Sequence, residues 1–170
     1  MRRWQAAVGS IGFFAVAPGV VVGLVPWWLT GWESRDPMPY GWPVRLVGLA
    51  LLVAGVGVLL SAFARFVRDG IGTPAPVAPT QHLVVRGLYR HVRNPMYLAV
   101  WAGILGEALL LAQLSLLWWL LLVVAATTAF VQGYEEPTLR RQFPSEYAAY
   151  VAAVPGWVPR VHGRRLRVRD

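Results

Sequence analysis

The chain has 170 residues, of which 56% are hydrophobic and only 14% are charged, and its net charge is +8. A soluble domain of this length carries about 25% charged residues, so the composition places the chain in the membrane class. The absence of cysteine excludes disulfides, thiolate catalysis and cysteine-ligated metals.

The first apolar segment, at about 7–29, predicts a membrane-spanning helix, because about 20 apolar residues cross the hydrocarbon core. A cleaved signal peptide is the alternative, since Arg2 and Arg3 precede the apolar run. We favour a retained helix, because Pro18 would directly follow the cleavage position and the apolar run continues beyond it.

A second span is predicted at about 44–64, and the apolar block that follows is much longer. As one helix this block would extend about 55 Å, nearly two bilayer thicknesses. Gln113 and Ser115 are the polar residues near its middle. We therefore predict a tight hairpin of two further spans, at about 96–112 and 114–131.

The distribution of arginine predicts the topology. All 16 basic residues are arginines, and only Arg35 and Arg45 fall on the side opposite to the others. Four spans with both termini in the cytoplasm satisfy the positive-inside rule almost completely. Topology thus explains the basic charge, and no nucleic-acid-binding motif accompanies it.

These patterns predict an all-α integral membrane protein with about four transmembrane helices, cytoplasmic N- and C-termini and a C-terminal interfacial helical segment. We expect a single membrane domain over 1–170. The use of arginine alone, with abundant alanine, valine and glycine, indicates a GC-rich bacterial genome. We therefore expect a multi-pass protein of the bacterial inner membrane whose active face is cytoplasmic.

The segment before the third span, at 86–97, is dense in cationic, polar and aromatic side chains. Asn94 suits a helix N-cap, and Pro95 suits the first helical position. Arginines beside a helix N-terminus attract anions, including carboxylates. A positively charged cytoplasmic anchor with a helix cap is the structural alternative.

Two adjacent acids, Glu135 and Glu136, are predicted just past the end of the fourth span. Adjacent acids are unusual there, because topology favours arginine and the helix dipole disfavours anions. Either a cationic ligand or the nearby Arg90 and Arg93 should compensate their charge.

An amphipathic aromatic pattern follows the acids and is typical of an interfacial helix. Leu139 and Phe143 share one helical face, whereas Tyr147 and Tyr150 share another. Ser145 is the expected cap of the helix that carries the two tyrosines.

Four other ionisable residues receive weaker predictions. Glu107, inside the third span, either lines a substrate pocket or is partnered in helix packing, and we favour packing. His82, His91 and His162 lack metal-ligand spacing. We interpret them as solvated loop residues and predict no metal site.

Two motifs flank the predicted hairpin. The first reads Gly87-x-Tyr89-x-x-x-Arg93-Asn94-Pro95-x-Tyr97. The second reads Glu135-Glu136-x-x-Leu139-x-x-x-Phe143-x-x-x-Tyr147-x-x-Tyr150, with Val154-Pro155 and Pro159 after it. In this order they resemble signatures of the isoprenylcysteine carboxyl methyltransferase-like family, which includes phospholipid methyltransferase-like proteins. Eukaryotic members tend to have histidine where this chain and many bacterial relatives have Asn94, and Pro144 replaces a frequent glycine. The first departure leaves the substrate open.

The resemblance implies an integral membrane methyltransferase that uses S-adenosylmethionine and releases S-adenosylhomocysteine. Its acceptor would be lipophilic or membrane-embedded and would carry a carboxylate, amine or thiol. The cofactor-binding elements would lie at about 80–97 and 133–160. The cofactor-binding residues would be Gly87, Tyr89, Arg90, Arg93, Asn94, Pro95, Tyr97, Glu135, Glu136 and Tyr147. Of these, the catalytic residues would be Arg93, Tyr97 and Glu136.

The chemistry of the cofactor fits these residue types. Arg93 or Arg90 would hold its carboxylate, and the two acids would accept hydrogen bonds from its ammonium or ribose hydroxyls. The tyrosines would stack on adenine or face the sulfonium through cation–π attraction.

Two other functions stay open. One is a small-thiol or small-amine methyltransferase, and the other is a non-catalytic membrane scaffold or transporter subunit. A transporter places polar residues at the bilayer midplane, whereas here they concentrate at one face. The expected partners are membrane lipids and the lipophilic acceptor, with no nucleic acid, and the oligomeric state is left open.

Overall fold

The computed structural model describes residues 16–35, 41–69 and 87–160, and every regular element within these ranges is helical. Several sequence predictions fall outside the described residues. They are the start of the first span, residues 80–86 of the first predicted cofactor-binding element, and the arginines after residue 160 that support the predicted topology.

The chain divides into two compact units. Unit 1 combines the residues up to Pro79 with Met96–Thr127, and unit 2 combines Thr80–Pro95 with Thr128–Asp170. Unit 1 contains most of the long apolar helices, whereas unit 2 contains both sequence motifs apart from Tyr97.

Helix α1 spans Val16–Thr30 and includes one π-helical turn at Val20–Leu24. In unit 1, the indole Nε1 of Trp119 donates a hydrogen bond of 2.9 Å to the carbonyl of Val21, inside this turn. The helix ends at Gly31, which has a φ of 59°, a left-handed conformation that glycine adopts without steric cost.

Helix α2 spans Gly41–Asp69 and packs closely on α3, which spans Pro95–Leu111. A Cβ at Gly55 would lie 2.6 Å from the carbonyl oxygen of Ala99, so the two backbones are in contact there. Small residues permit this approach between apolar helices. α2 extends beyond the predicted 44–64 at both ends, because helical hydrogen bonding is not confined to the apolar stretch.

The long apolar block is interrupted between α3 and α4, which spans Leu114–Phe130. Ala112 takes a left-handed φ of 53°, and the side-chain amide of buried Gln113 donates to the backbone carbonyl of Glu33 at 2.9 Å. Glu107 of α3 is only 8% exposed, and its Oε2 has no hydrogen-bond partner within the described residues.

Two of the described helical stretches, Gly41–Ala62 and Leu114–Gln142, are long and apolar enough to cross a membrane. Two shorter apolar helices, Val16–Thr30 and Pro95–Leu111, accompany them. The all-helical fold class is therefore confirmed for the described residues, whereas the number of spans and their orientation stay predictions.

Unit 2 continues the last apolar helix beyond its predicted end. After α4 comes a π-helical turn at Val131–Glu135, and it leads directly into α5, Glu136–Gln142. The prediction that the paired acids follow the helix end is therefore wrong. The helix runs on because a π turn widens the hydrogen-bonding ring without breaking the helix.

Helix α6 spans Pro144–Ala153, after a break at Phe143. The prediction that Ser145 caps this helix is wrong, because Phe143 occupies the N-cap position and no side chain caps the helix. Pro144 supplies a helical φ at the first position, which moves the start one residue earlier than the serine would. The buried Tyr147, Tyr150 and Val154 form the core of this unit.

Candidate active site

An arginine, a glutamate and a tyrosine meet in unit 2. Arg93 Nη1 donates to Glu136 Oε1 at 2.8 Å and to the hydroxyl of Tyr147 at 3.3 Å. The Arg93 and Glu136 side chains are only 16% and 22% exposed, so solvent screens their attraction little. A charge-assisted hydrogen bond in such surroundings is worth about 1.5–3 kcal/mol. We call Arg93, Glu136 and Tyr147 the site cluster.

Each member of the site cluster comes from a different element. Arg93 lies between the 3₁₀ turn Gly87–Arg90 and α3, Glu136 opens α5 directly after the π turn, and Tyr147 lies on α6. Short π-helical turns inside α-helices often occur at functional sites, because the extra residue redirects the side chains that follow.

The segment after α6, residues 154–160, is tied to the first motif. The amide of Arg93 donates to the carbonyl of Pro155 at 2.9 Å, and the side-chain amide of Asn94 donates to the carbonyl of Gly156 at 3.1 Å. The amide of Arg160 donates to the carbonyl of His91 at 3.0 Å. We call residues 154–160 the strap.

His91, predicted as a solvated loop residue, lies in a partly exposed turn and also bonds to the strap. Its Nδ1 lies 2.8 Å from the carbonyl oxygen of Arg160, and because a carbonyl only accepts, Nδ1 carries the proton. The imidazole therefore forms a further hydrogen bond between the first motif and the strap. His82 and His162 lie outside the described residues.

Tyr147 of the site cluster and two further tyrosines of unit 2, Tyr89 and Tyr150, retain their protons near neutral pH. Burial, followed by the negative charge of Glu135, raises the pKa of Tyr89 to about 12. Burial, followed by the charge of Glu136, also raises the pKa of Tyr147. Burial raises the pKa of Tyr150, whose hydroxyl donates to the carbonyl of Tyr89 at 2.7 Å. These phenols are hydrogen-bond donors and acceptors near neutral pH, and they are poor bases.

A shallow pocket opens next to Tyr147 and is lined by Arg140, Pro144, Tyr147, Ala148 and Val151. The guanidinium carbon of Arg140 lies 5.9 Å from the centroid of the Tyr147 ring. Arg140 also approaches Glu136 Oε2 at 3.8 Å, but its side chain is 62% exposed, so this ion pair contributes little. An exposed cation, Arg140, thus lies over the Tyr147 ring of the site cluster.

The donor set suits an amino-acid zwitterion such as the one at the end of S-adenosylmethionine. Arg93 Nε is buried and meets no hydrogen-bond acceptor among the described residues. A buried guanidinium N–H without a partner is costly, and a bound carboxylate would satisfy it. Glu136, at the other side of the same guanidinium, suits the ammonium group.

The structure gathers most of the predicted site residues in unit 2. Gly87 begins the 3₁₀ turn with a φ of 62°, a conformation that favours glycine, so a backbone requirement accounts for it. Arg90 is exposed at the end of this turn, and Pro95 is the first residue of α3. Tyr97, in contrast, belongs to unit 1. The site residues found here are Gly87, Tyr89, Arg90, Arg93, Asn94, Pro95, Glu135, Glu136 and Tyr147.

Three residues around the site cluster were missed as site residues by the sequence prediction. Tyr150 lies three residues after Tyr147, and Arg140 lies three residues before Phe143. Both reference positions belong to the second motif. Gly156 contacts Arg93, and the Pro155-Gly156 pair is a turn signal that marks where the chain could fold back. No local pattern indicates which segment it folds onto.

A helical chain with long apolar helices and a largely buried Arg–Glu–Tyr site has the features of an integral membrane enzyme. A family model described as phospholipid methyltransferase matches residues 43–146, more than half of the chain. The chain belongs to this family, which is part of the isoprenylcysteine carboxyl methyltransferase-like group of membrane enzymes. It is therefore a membrane methyltransferase. No curated protein matches the chain.

Proposed function

We propose that this protein transfers a methyl group from S-adenosylmethionine to a lipophilic acceptor held in the membrane. The family supports methyl transfer to a lipid-related acceptor. The observation that carries the residue assignment is Arg93, whose buried Nε lacks a partner while its Nη1 is paired with Glu136.

Arg93 binds the carboxylate of the cofactor through its free N–H, and Glu136 accepts a hydrogen bond from its ammonium. The hydroxyl of Tyr147 lies 3.3 Å from Arg93 Nη1, so its ring stands near this pair, where it would attract the sulfonium. When bound, the cofactor supplies an electrophilic methyl group on a sulfonium. Catalysis by the protein is then mainly alignment and exclusion of water.

The chemistry of the acceptor decides whether a base is needed. A carboxylate attacks as it stands, whereas an amine or thiol must first lose a proton. The raised pKa values of Tyr89 and Tyr147 make these phenols poor bases. Glu136 is the carboxylate of the site cluster and is the better candidate, and Tyr97 stays a proposal from the sequence motif alone.

Calorimetric titration with S-adenosylhomocysteine in detergent tests the assignment. The Arg93→Lys variant keeps the charge but removes Nε–H and the forked geometry. We expect saturable binding by the wild type and at least about tenfold weaker binding by Arg93→Lys, the equivalent of about 1.4 kcal/mol. Arg141→Lys, an exposed arginine on α5, is the matched control and should bind like the wild type.

Unchanged binding by folded Arg93→Lys would overturn the assignment. If the wild type itself does not bind, the non-catalytic scaffold becomes the better function. With binding established, label transferred from methyl-labelled S-adenosylmethionine should appear in the organic phase when phospholipid is supplied. Label found instead in a supplied water-soluble thiol or amine would favour the small-molecule alternative.

A further inference from the structure

The strap brings a glycine against the guanidinium of Arg93. A Cβ built on Gly156 would lie 3.1 Å from Arg93 Nη2, 3.7 Å from Cζ and 3.8 Å from Nε. The first of these distances is shorter than most Cβ contacts, so any larger residue at position 156 must displace the guanidinium or the strap.

The guanidinium has little freedom to move away. Its Nη1 is held by Glu136 at 2.8 Å and by Tyr147 at 3.3 Å. Because the guanidinium is a rigid plane, a shift of Nη2 also shifts Nη1 and Nε. Displacement by a few tenths of an ångström would therefore distort the pair with Glu136.

The strap has equally little freedom at this point. On one side of the contact, the carbonyl of Pro155 accepts from the amide of Arg93 at 2.9 Å. On the other, the carbonyl of Gly156 accepts from the side chain of Asn94 at 3.1 Å. The two bonds fix the register, so the α-carbon of Gly156 cannot slide past the guanidinium without breaking them.

We propose that Gly156 is a positioning residue, whose missing side chain allows the strap to set the orientation of the Arg93 guanidinium. Its effect on cofactor binding rests on the proposed function, whereas its effect on Arg93 does not. The bare α-carbon fits against one edge of the guanidinium. Nη1 is paired with Glu136, and the buried Nε is left without a partner among the described residues.

A double-mutant cycle tests the contact itself, because it isolates the coupling between two residues. Thermal unfolding in detergent, followed by tryptophan fluorescence, is measured for wild type, Gly156→Ala, Arg93→Lys and the double variant. Lysine has no Nη2, so we expect Gly156→Ala to lower the midpoint in the wild type but not in Arg93→Lys. Equal losses in both backgrounds would overturn the proposal.

Cofactor affinity provides the functional readout. We expect Gly156→Ala to raise the Kd for S-adenosylhomocysteine about tenfold, as expected when a charge-assisted hydrogen bond is distorted. Its KM for S-adenosylmethionine should rise while its KM for the acceptor does not. Gly57→Ala, on α2 and outside the site cluster, is the control, since a Cβ there meets no described atom within 4 Å.

The outcomes separate the two hypotheses. Wild-type affinity in folded Gly156→Ala would overturn the positioning role. Absence of binding in the wild type would overturn the proposed function, and the unfolding cycle would still decide whether Gly156 positions Arg93.

Discussion

At the scale of residues, the tyrosines of unit 2 give the site a distinct response to pH. The pKa of Tyr89 is raised from 10.0 to about 12, and that of Tyr150 is raised further. A phenol with a raised pKa stabilises the folded state below pH 10, and this contribution is lost as the pH rises through the folded value. The loss falls well above neutral pH, so binding measurements near pH 7 are unaffected by it.

The absorbance of tyrosinate at 295 nm should reveal Tyr89 directly. We expect wild type and Tyr89→Phe in detergent to titrate alike up to about pH 10 and to differ by one tyrosine only near pH 12, since burial opposes the charged form. A Tyr89 component that titrates near pH 10 while the protein is still folded would contradict this prediction.

The contact between Arg93 and Glu136 was one of the alternatives that the sequence allowed. Paired acids opposite arginines required compensation, and the structure brings Glu136 to Arg93 across 43 residues of sequence. The contact of Gly156 with Arg93 could not be predicted. It depends on tertiary folding of the strap, and a glycine leaves no periodic signal.

At the scale of elements, the close approach of α2 and α3 depends on which face of α2 carries glycine. A Cβ at Gly55 would lie 2.6 Å from the carbonyl oxygen of Ala99 and 3.1 Å from the amide of Gly103. At Gly57, two residues further along the same helix, a Cβ meets no described atom within 4 Å. The two glycines therefore differ in their surroundings: Gly55 faces the backbone of α3, whereas Gly57 faces no described atom.

The pair makes a matched test of helix packing. We expect Gly55→Ala to destabilise the protein by about 1–3 kcal/mol, because backbone atoms cannot yield as side chains do. Gly57→Ala should be neutral or slightly stabilising, since alanine is the better helix former. Thermal unfolding in one detergent measures both, and equal midpoints for the two variants would contradict the packing described here.

Periodicity and composition predict the helices better than their ends. The apolar block divides at Ala112 and Gln113, near the polar residues that indicated a turn. The π turns at Val20–Leu24 and Val131–Glu135 have no comparable sequence pattern. A π turn adds one residue to a helical turn and requires no particular residue type. This is why Glu135 and Glu136 were placed beyond the helix that contains them.

At the scale of the whole molecule, exposed tryptophans near the ends of two helices are typical of a membrane protein. In unit 1, Trp27, Trp28 and Trp32 are exposed near the end of α1, and Trp42 is exposed near the start of α2. Tryptophan favours the boundary between hydrocarbon and water. These side chains agree with a membrane interface between α1 and α2.

The four-span topology can be tested with single cysteines, since the natural chain has none. Ser34, between α1 and α2, and Ser145, on α6, are both exposed. With both termini in the cytoplasm, a membrane-impermeant thiol reagent applied to intact cells should label Ser34→Cys. It should label Ser145→Cys only after permeabilisation. The reverse pattern, or labelling of both in intact cells, would contradict the topology.

The strap also has a consequence for the order in which the site is made. Gly156 holds Asn94 across 62 residues, and Arg160 binds His91 across 69. Arg93, before α3, and Glu136, at the start of α5, both leave the ribosome before the strap does. A nascent chain therefore carries Arg93 and Glu136 before it carries the strap that positions Arg93. A chain that stops short of residue 154 would contain Arg93 and Glu136 without the strap. Arg93 therefore acquires its final orientation only after the strap has been synthesised.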